Sequence, residues 1–477
     1  MIRDKYMMAV GSGLAGSAIN AVSTLGVMWL LNMILGKSGF GTIILALVVL
    51  QVITSIVASG FVSVLLYRVS RLTVTDIETA RSLTGTILLY GVSLGAVTGG
   101  GIAIFAESIA TLFGKPELTP WIFGLSIVVP LDVARQVLVE SSRAQQRIQI
   151  AILLGEVIPA LLRLFLLSIV FLLSLSDNYL MASYILTQLV PVVILLLLLR
   201  PIPSAVNQNL SRSDFNYGLK LALNRAANEP SRSIDILIVG ALTSANVTAD
   251  YALGSRIAKM LIVMKNAFGR LLVPRLAGGI ASGDTLQIRI EYGLARLISF
   301  TTTLLGVMGI CAIGPYVLPW FGEYQDAFPV IMILAAAMMV KVAVGASGGY
   351  LNMAGYAGYT LLSTVLGMTV NVVVAMLLIP LYAANGGALA VLLGAIIIQT
   401  MVGTVLWKLD RFAIIDLPSL IAMFCGVSLA VIAAFNSETN IFCAAGFACV
   451  GFGYVYAKRS SWRQLLSKTL TPPPSIS

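Results

Sequence analysis

Long apolar stretches alternate with short polar or Gly/Pro-containing breaks from one end of the chain to the other. Apolar runs of roughly 20 residues have the length that a helix needs to cross about 30 Å of hydrocarbon. Breaking the chain at its polar and Gly/Pro clusters therefore predicts fourteen transmembrane helices. They cover residues 7–35, 40–67, 81–106, 118–141, 148–174, 179–199, 213–241, 249–276, 287–312, 325–350, 357–380, 386–408, 413–435 and 438–457.

The composition leads to the same fold class. Hydrophobic residues make up 58% of the 477 residues and charged residues only 10%, and the mean hydropathy is +0.96. A soluble domain carries about 25% charged residues, so this chain could not cover a water-facing surface of ordinary size. The sequence predicts an all-α polytopic membrane protein. Its first apolar stretch is too long for a cleaved signal peptide, and a second span follows at once.

Several classes of function are excluded by what the chain lacks. It contains no histidine, which removes His-dependent catalysis and His-ligated zinc or haem, and its four cysteines show no CxxC spacing. A Walker A pattern and a DxD-type motif are also absent, so we expect neither an enzyme nor a cofactor nor a resident metal. The basic residues are scattered between apolar runs, which argues against a nucleic-acid partner.

The loop charges predict the orientation of the chain. With the N-terminus in the cytoplasm, eighteen Lys and Arg residues fall in inner loops and helix ends, and only Lys37 and Lys115 fall outside. This asymmetry follows the positive-inside rule, and an error of one span in the middle would destroy it. Both termini are therefore predicted to be cytoplasmic.

A weak internal repeat divides the chain. Leu-Phe-Gly at 112–114 recurs as Trp-Phe-Gly at 320–322, and Gly-Phe-Gly at 39–41 is echoed by Asp-Tyr-Ala at 250–252. Both offsets correspond to six predicted spans, and an even number makes the two halves parallel copies. The predicted divisions are an N-terminal lobe at 1–200, a C-terminal lobe at 201–410, and two extra helices with a cytoplasmic tail at 411–477.

Charged residues inside the predicted spans are the main functional signal, because each ionised side chain costs at least ~2.5–3.5 kcal/mol at a helix centre. The cations are Arg135, Arg163, Lys220, Arg225, Arg232, Arg256, Lys259, Lys265, Arg296 and Lys341. The acids at similar depth are Asp132, Glu156, Glu229 and Asp235, with Glu140 and Glu291 nearer the cytoplasmic ends. Pairing cannot neutralise all the cations, so the surplus indicates a water-filled cavity or an anionic ligand.

Helical spacing leaves two interpretations of these charges open. Asp132–Arg135, Glu156–Arg163 and Glu229–Arg225 lie on shared helix faces and could be local ion pairs with a structural role only. By contrast, Arg256, Lys259, Arg296 and Lys341 have no evident acidic partner on their own spans. A functional role is favoured for that second group.

Short motifs along most of the chain carry a family resemblance. They are Leu-Gly-Lys-Ser-Gly-Phe-Gly-Thr at 35–42, Asp-Ile-Leu-Ile-Val-Gly at 235–240, Ala-Asp-Tyr-Ala-Leu-Gly-Ser-Arg-Ile at 249–257, Ile-Pro-Leu-Tyr at 379–382 and Gly-Gly-Ala-Leu-Ala at 386–390. In order and spacing the chain resembles the polysaccharide transporters, or oligosaccharide-lipid flippases, of the multidrug/oligosaccharidyl-lipid/polysaccharide exporter (MOP) superfamily.

The resemblance implies two six-helix lobes around a central cavity, two further C-terminal helices, and a lipid-linked oligosaccharide moved outward by alternating access. A sister branch of the superfamily exports cationic drugs and relies on acidic residues in its first span. The first span here contains only Asn20 and Asn32 as strongly polar residues, which argues against drug export.

The charge surplus and the resemblance together predict a flippase for a polyprenyl-diphosphate-linked oligosaccharide in surface polysaccharide synthesis. The predicted substrate-binding residues are Arg135, Arg163, Arg225, Arg232, Arg256, Lys259, Arg296 and Lys341. Either the membrane potential drives transport, or Na⁺ or H⁺ binds at Asp132, Glu156, Glu229 or Asp235. A peptidoglycan lipid-precursor flippase and a cation-coupled drug antiporter remain alternatives. Membrane lipid and polysaccharide polymerase machinery are the further expected partners.

Overall fold

The computed structural model describes residues 2–201, 233–269, 285–345, 347–410, 417–435 and 440–458. Over these ranges the regular structure is helical throughout and contains no strand. The expectation of an all-α polytopic membrane protein is confirmed. The count of fourteen spans stays a prediction.

The helices follow one another along the chain with short connections. They are α1 (Ile2–Thr75), α2 (Ile77–Ile104), α3 (Ala106–Leu112), α4 (Leu118–Leu125), α5 (Val128–Ala144), α6 (Ile148–Ile152), a π-helical turn (Leu153–Val157), α7 (Ile158–Leu172), α8 (Asp177–Leu199), α9 (Ile234–Leu242), α10 (Ala245–Met260), α11 (Thr285–Val317), a 3₁₀ turn (Leu318–Phe321), α12 (Ala327–Ala343), α13 (Ser347–Met353), α14 (Ala357–Asp410), α15 (Leu417–Phe435) and α16 (Asn440–Ala457).

Within the described ranges, eight helical stretches are long and apolar enough to cross a membrane, and α4 with α5, bent by 47°, would form a ninth. Two stretches, Ala18–Val62 and Gly358–Lys408, far exceed the roughly 20 residues of a single crossing. Each contains one residue with a positive φ angle, Gly36 at 68° and Ala383 at 47°. These breaks coincide with the predicted boundaries between spans 1 and 2 and between spans 11 and 12.

Contacts within the chain define two compact units, Met1–Ala249 and Asp250–Ser477. The first therefore includes α9 and the start of α10, which the sequence assigned to the C-terminal lobe beginning at residue 201. The stretch 202–232 that would connect them lies outside the described residues. The predicted lobe boundaries stay a prediction.

Lys115 fixes α9 within the first unit. The residue was predicted to be a loop charge on the outer side, but its side chain is buried. Its ammonium group donates hydrogen bonds to the main-chain carbonyls of Gly240 and, at 2.7 Å, Thr243, at the C-terminal end of α9. A cation at this end also complements the helix dipole. Burial lowers the pKa of Lys115, with nearby Glu117 acting in the opposite direction.

Replacing Lys115 with methionine should destabilise the first unit by about 1–3 kcal/mol, because the two carbonyls at the end of α9 lose their donor. The midpoint of thermal unfolding in detergent measures this effect. Lys37→Met, on the same predicted side but less buried, serves as the matched control. Equal midpoints for the two variants would show that the contact between Lys115 and α9 contributes no stability.

The glycine stripe Gly91, Gly95 and Gly99 on α2 forms a closely packed face. A Cβ atom at Gly95 would lie 3.0 Å from the Cα of Pro130, and one at Gly99 would lie 2.8 Å from the carbonyl oxygen of Ser126. Small residues allow two helix backbones to approach this closely. α2 is thereby held against α4 and α5, and α5 occupies the centre of the first unit.

In the second unit, α12 takes the central position. This helix is apolar all round and almost every residue in it is buried, which is typical of a helix enclosed by others. The turns that precede the two central helices share one feature. Gly114 before α4 and α5 has φ 61°, and Gly322 before α12 has φ 104°. Both glycines belong to the motifs that suggested the internal repeat, and only glycine adopts such angles without strain.

Candidate functional site

A polar cavity of about 170 Å³ lies inside the first unit, between α1, α5, the α6–α7 segment and α8. Three of the predicted site residues line it together, namely Arg135, Glu156 and Arg163. The remaining polar lining comes from Asn20, Ser23, Thr24 and Gln188. A concave space with a few convergent polar groups inside an apolar bundle is the usual form of a ligand site.

A local departure from α-helical structure shapes one wall of this cavity. Residues Leu153–Val157 form a π-helical turn, and Pro159 follows two residues later. Proline has no N–H, so the carbonyl of Gly155 four residues earlier lacks its usual helical donor. The Nη1 of Arg135 donates to that carbonyl at 3.0 Å. π-helical turns occur frequently at functional sites.

Arg135 is held by a local ion pair. Its Nη2 and Nε lie 2.6 and 3.1 Å from Oδ1 of Asp132, and Gln136 donates to the other carboxylate oxygen at 3.0 Å. The ion pair Asp132–Arg135 that the helical spacing allowed is thus formed. The charge of Arg135 is compensated, and its guanidinium connects α5 to the π-helical turn.

Glu156 does not form the expected local pair with Arg163. Its Oε1 lies 3.4 Å from the Nη2 of Arg143, whose Nη1 also binds Glu140 at 2.6 Å. The helical spacing had left this local pair as one of two open interpretations. Instead, α5 packs close to the π-helical turn, and its residue Arg143 is the partner of Glu156. The proposed role of Glu156 in ion coupling stays a prediction.

Arg163 lies over the aromatic ring of Tyr184 on α8, with Cζ 4.8 Å from the ring centroid, a cation–π geometry. Within the described residues Arg163 makes no ion pair, and its buried Nε has no hydrogen-bond partner. One helical turn beyond Tyr184, the Oε1 of Gln188 is also buried without a partner. Both residues line the cavity, and each has one buried polar atom whose hydrogen bond is unmade.

The predicted cations of the second unit lie on three helices. Arg256 and Lys259 are half-buried on α10, as expected for residues that share a face, and Arg296 on α11 is buried at 7% exposure. Arg296 packs against Gly345, which has φ 70° at the break after α12. Lys341, near the end of α12, accepts a hydrogen bond at its main-chain carbonyl from the Nζ of Lys265, 2.6 Å away.

The other predicted residues divide into two groups. Asp235, on α9 in the first unit, is buried at 6% exposure. Arg225, Glu229 and Arg232 lie outside the described residues. Over the ranges that are described, no cluster of three potential metal ligands occurs.

Sequence reasoning missed Gln188 and did not place Lys265 in the site. Gln188 is the strongly polar residue in the middle of the apolar span 179–199, and such a residue within a membrane helix is itself a functional signal. Lys265 is among the intramembrane cations of the sequence but not among the predicted substrate-binding residues. Its contact is with α12 and could not be read from the spacing within one helix.

Replacing Arg135 with methionine should lower the free energy of unfolding by about 1–3 kcal/mol, since the Asp132 carboxylate and the Gly155 carbonyl both lose a donor. Thermal unfolding in detergent tests this. The exposed Arg200→Met provides a control expected to change stability by less than about 0.5 kcal/mol. Equal stability of the two variants would contradict the positioning role of Arg135.

The chain was compared with protein families and with curated protein sequences. The sequence profile of a family described as polysaccharide biosynthesis protein matches residues 30–302. No curated protein sequence matches the chain.

The fold is similar to those of solved membrane transporters. An inward-facing multidrug resistance MATE family transporter of the MOP superfamily aligns with TM-score 0.65 and 17% identity, over 83% of this chain and 94% of that one. A MOP superfamily transporter from Pyrococcus furiosus, described as having a binding pocket of reverse polarity that suggests a different function, aligns with TM-score 0.64 and 16% identity, over 90% and 96%. A MATE transporter from Vibrio cholerae gives 0.61 and 16%, over 85% and 97%. At these identities the similarity establishes the fold alone.

Proposed function

Because the chain belongs to the family of polysaccharide biosynthesis proteins, we propose that it is a flippase for a polyprenyl-diphosphate-linked oligosaccharide. It moves this lipid from the cytoplasmic to the outer leaflet of the bacterial cell (inner) membrane by alternating access. We expect a transporter and not an enzyme, because the fold is similar to those of solved membrane transporters and the family is one of polysaccharide biosynthesis. The same findings make the chain a multi-pass membrane protein.

The physical problem for such a protein is the charged head of its substrate. The idealised cost of burying an isolated anion is of order 20 kcal/mol, so unaided flipping is negligible. Guanidinium and ammonium groups in a hydrated cleft can replace the water around the diphosphate. We assign this role to Arg225, Arg232, Arg256, Lys259, Arg296 and Lys341. The sequence also predicted Arg135 and Arg163 for substrate binding, and both line the cavity of the first unit.

The observation that carries the proposal is the cavity within the first unit. Two arginines and one glutamate line it, inside a bundle that is otherwise apolar. A cation-exporting drug antiporter needs an acidic cavity, and this lining does not favour a cation. The Pyrococcus furiosus transporter, described as having a binding pocket of reverse polarity that suggests a different function, is similar to this chain in fold.

The driving force has two candidate sources. With the cell interior negative, moving about two negative charges outward is downhill by roughly 4.6 kcal/mol per 100 mV. Alternatively, Na⁺ or H⁺ binds at Asp132, Glu156, Glu229 or Asp235 during the return step. The Asp132 carboxylate is occupied by Arg135 and Gln136, which favours the potential over coupling at this residue.

Depletion of the protein from its own cells tests the proposal. We expect surface polysaccharide to fall and lipid-linked oligosaccharide to accumulate where an impermeant glycosidase cannot reach it in spheroplasts. Polymerase machinery that acts on the outward-facing oligosaccharide lipid would then lack its substrate. Unchanged surface polysaccharide together with blocked cell-wall synthesis would favour the peptidoglycan-precursor alternative, and increased retention of a cationic dye would favour the drug antiporter.

A further inference from the structure

The charges around the N-terminal cavity compensate one another. Arg135 is paired with Asp132, and Arg143 is paired with Glu140 and Glu156, which leaves Arg163 as the cation that makes no ion pair within the described residues. Arg135, Arg163 and Glu156 line the cavity, and with the ion-pair partners behind them the described charges are three cations and three carboxylates. A diphosphate that carries about two negative charges would meet the Glu156 carboxylate without a surplus of positive charge nearby.

The two unmade hydrogen bonds define the chemistry of the missing ligand more closely. The Nε of Arg163 is a donor that lacks an acceptor, and the Oε1 of Gln188 is an acceptor that lacks a donor. The Gln188 side chain is more than nine-tenths buried. Phosphate and carboxylate oxygens only accept hydrogen bonds, so they could satisfy the Nε of Arg163 but not the Oε1 of Gln188 in the orientation that this amide has. A hydroxyl group both donates and accepts, and can satisfy both.

The size and the rest of the lining agree with this requirement. A volume of about 170 Å³ is many times the roughly 10–15 Å³ that a single water needs, so the cavity has room for more than one small ion. Asn20, Ser23 and Thr24 add amide and hydroxyl groups on the wall formed by α1. Side chains that both donate and accept are suited to a molecule with several hydroxyls.

We infer that the cavity of the N-terminal unit is a subsite for a neutral sugar ring of the substrate glycan, with Arg163 and Gln188 as its specificity-determining residues. The inference rests on the proposed function and refines it. The glycan is held in this cavity, and the diphosphate is left to cations elsewhere in the protein. Arg135 then acts as a positioning residue, which holds the π-helical turn and Glu156 in place.

Two probes that share their lipid and diphosphate test this inference with purified protein in detergent. One is sugar-free polyprenyl diphosphate, and the other is the lipid-linked oligosaccharide extracted from the source cells. Gln188→Leu should weaken binding of the oligosaccharide lipid roughly tenfold, the size of one lost hydrogen bond, and leave binding of the sugar-free lipid unchanged. Arg163→Gln should show the same selectivity with an equal or larger loss.

Gln145→Leu is the matched control, because Gln145 also lies on the first unit but binds Ser141 and does not line the cavity. It should bind both probes as the unmodified protein does. Equal weakening of both probes by Gln188→Leu, or no weakening of either, would overturn the inference while leaving the flippase proposal intact. Failure of the unmodified protein to bind either probe would instead reject the flippase proposal and the subsite with it.

Discussion

Replacement of both Arg256 and Lys259 with glutamine should reduce translocation of the lipid-linked oligosaccharide by about 100-fold or more. The two residues lie one turn apart on α10, and both are half-buried. A hydrogen bond to a charged group contributes about 1.5–3 kcal/mol, and two such bonds correspond to a factor of roughly 100 or greater. Each single replacement should give an intermediate rate.

The amount of monodisperse protein after purification must stay unchanged for this result to report on transport. Arg200→Gln with Lys408→Gln is a matched control, since it removes the same charge from two exposed helix ends on the predicted cytoplasmic side. We expect the control to transport at close to the normal rate. Unimpaired transport by Arg256→Gln with Lys259→Gln would remove these residues from the proposed diphosphate site.

Gly41→Ala should sharply reduce the amount of folded protein. A Cβ atom at position 41 would lie 2.0 Å from the carbonyl oxygen of Ala245 and 3.2 Å from the main-chain nitrogen of Ala249. Because the obstructing atoms are backbone, rotation of a side chain cannot relieve the clash. Overpacking typically costs 1–3 kcal/mol and occasionally more, and a main-chain obstruction belongs at the upper end of that range.

Gly100→Ala provides the comparison on a helix of the same unit. A Cβ atom at position 100 would meet no atom within 4 Å. Alanine is a better helix former than glycine, so this variant should be neutral or more stable by about 0.5–1 kcal/mol. Thermal unfolding midpoints and purified yields measure both variants. Equal behaviour of the two would show that α1 and the start of α10 do not approach as closely as described.

The positions of the helices could be read from the sequence because hydrocarbon thickness fixes the length of an apolar run. The break at Gly36 was visible as a polar turn rich in glycine between two such runs. The backbone at Gly36 is not helical, with φ 68°, and two helices meet there at a kink. The stretch 202–232 contains three of the predicted site residues. It lies outside the residues that the structure describes, so the roles of these three residues stay a prediction.

The sequence indicated which charged residues line the candidate site, but not all of the ion pairs that these residues form. Spacing along one helix correctly joined Asp132 to Arg135, three residues apart. It failed for Glu156 because the partner, Arg143, comes from another helix. Contacts between helices depend on packing that no single span encodes. The carbonyl of Gly155 lacks its usual helical donor because of the proline that follows, and Arg135 on the neighbouring helix α5 donates a hydrogen bond to it instead. A proline in one helix thus determines the role of an arginine in another.

Gln188 illustrates a different limit. The site was predicted from charged residues within the spans. Gln188 carries no charge, so that criterion could not identify it. Its importance depends on burial beside Arg163 and Tyr184, and on the fact that its Oε1 lacks a donor. Only the combination of a donor and an acceptor in one cavity distinguishes a sugar hydroxyl from a phosphate.

Purified protein in lipid vesicles allows the central claim, movement of an anionic lipid-linked glycan across a bilayer, to be measured directly. The vesicles carry the oligosaccharide lipid in both leaflets, and an impermeant glycosidase is added outside. With the protein present, we expect nearly all of the glycan to be cleaved, and faster when a potassium diffusion potential makes the vesicle interior negative. Cleavage that stops at the half initially exposed, as in protein-free vesicles, would contradict the account.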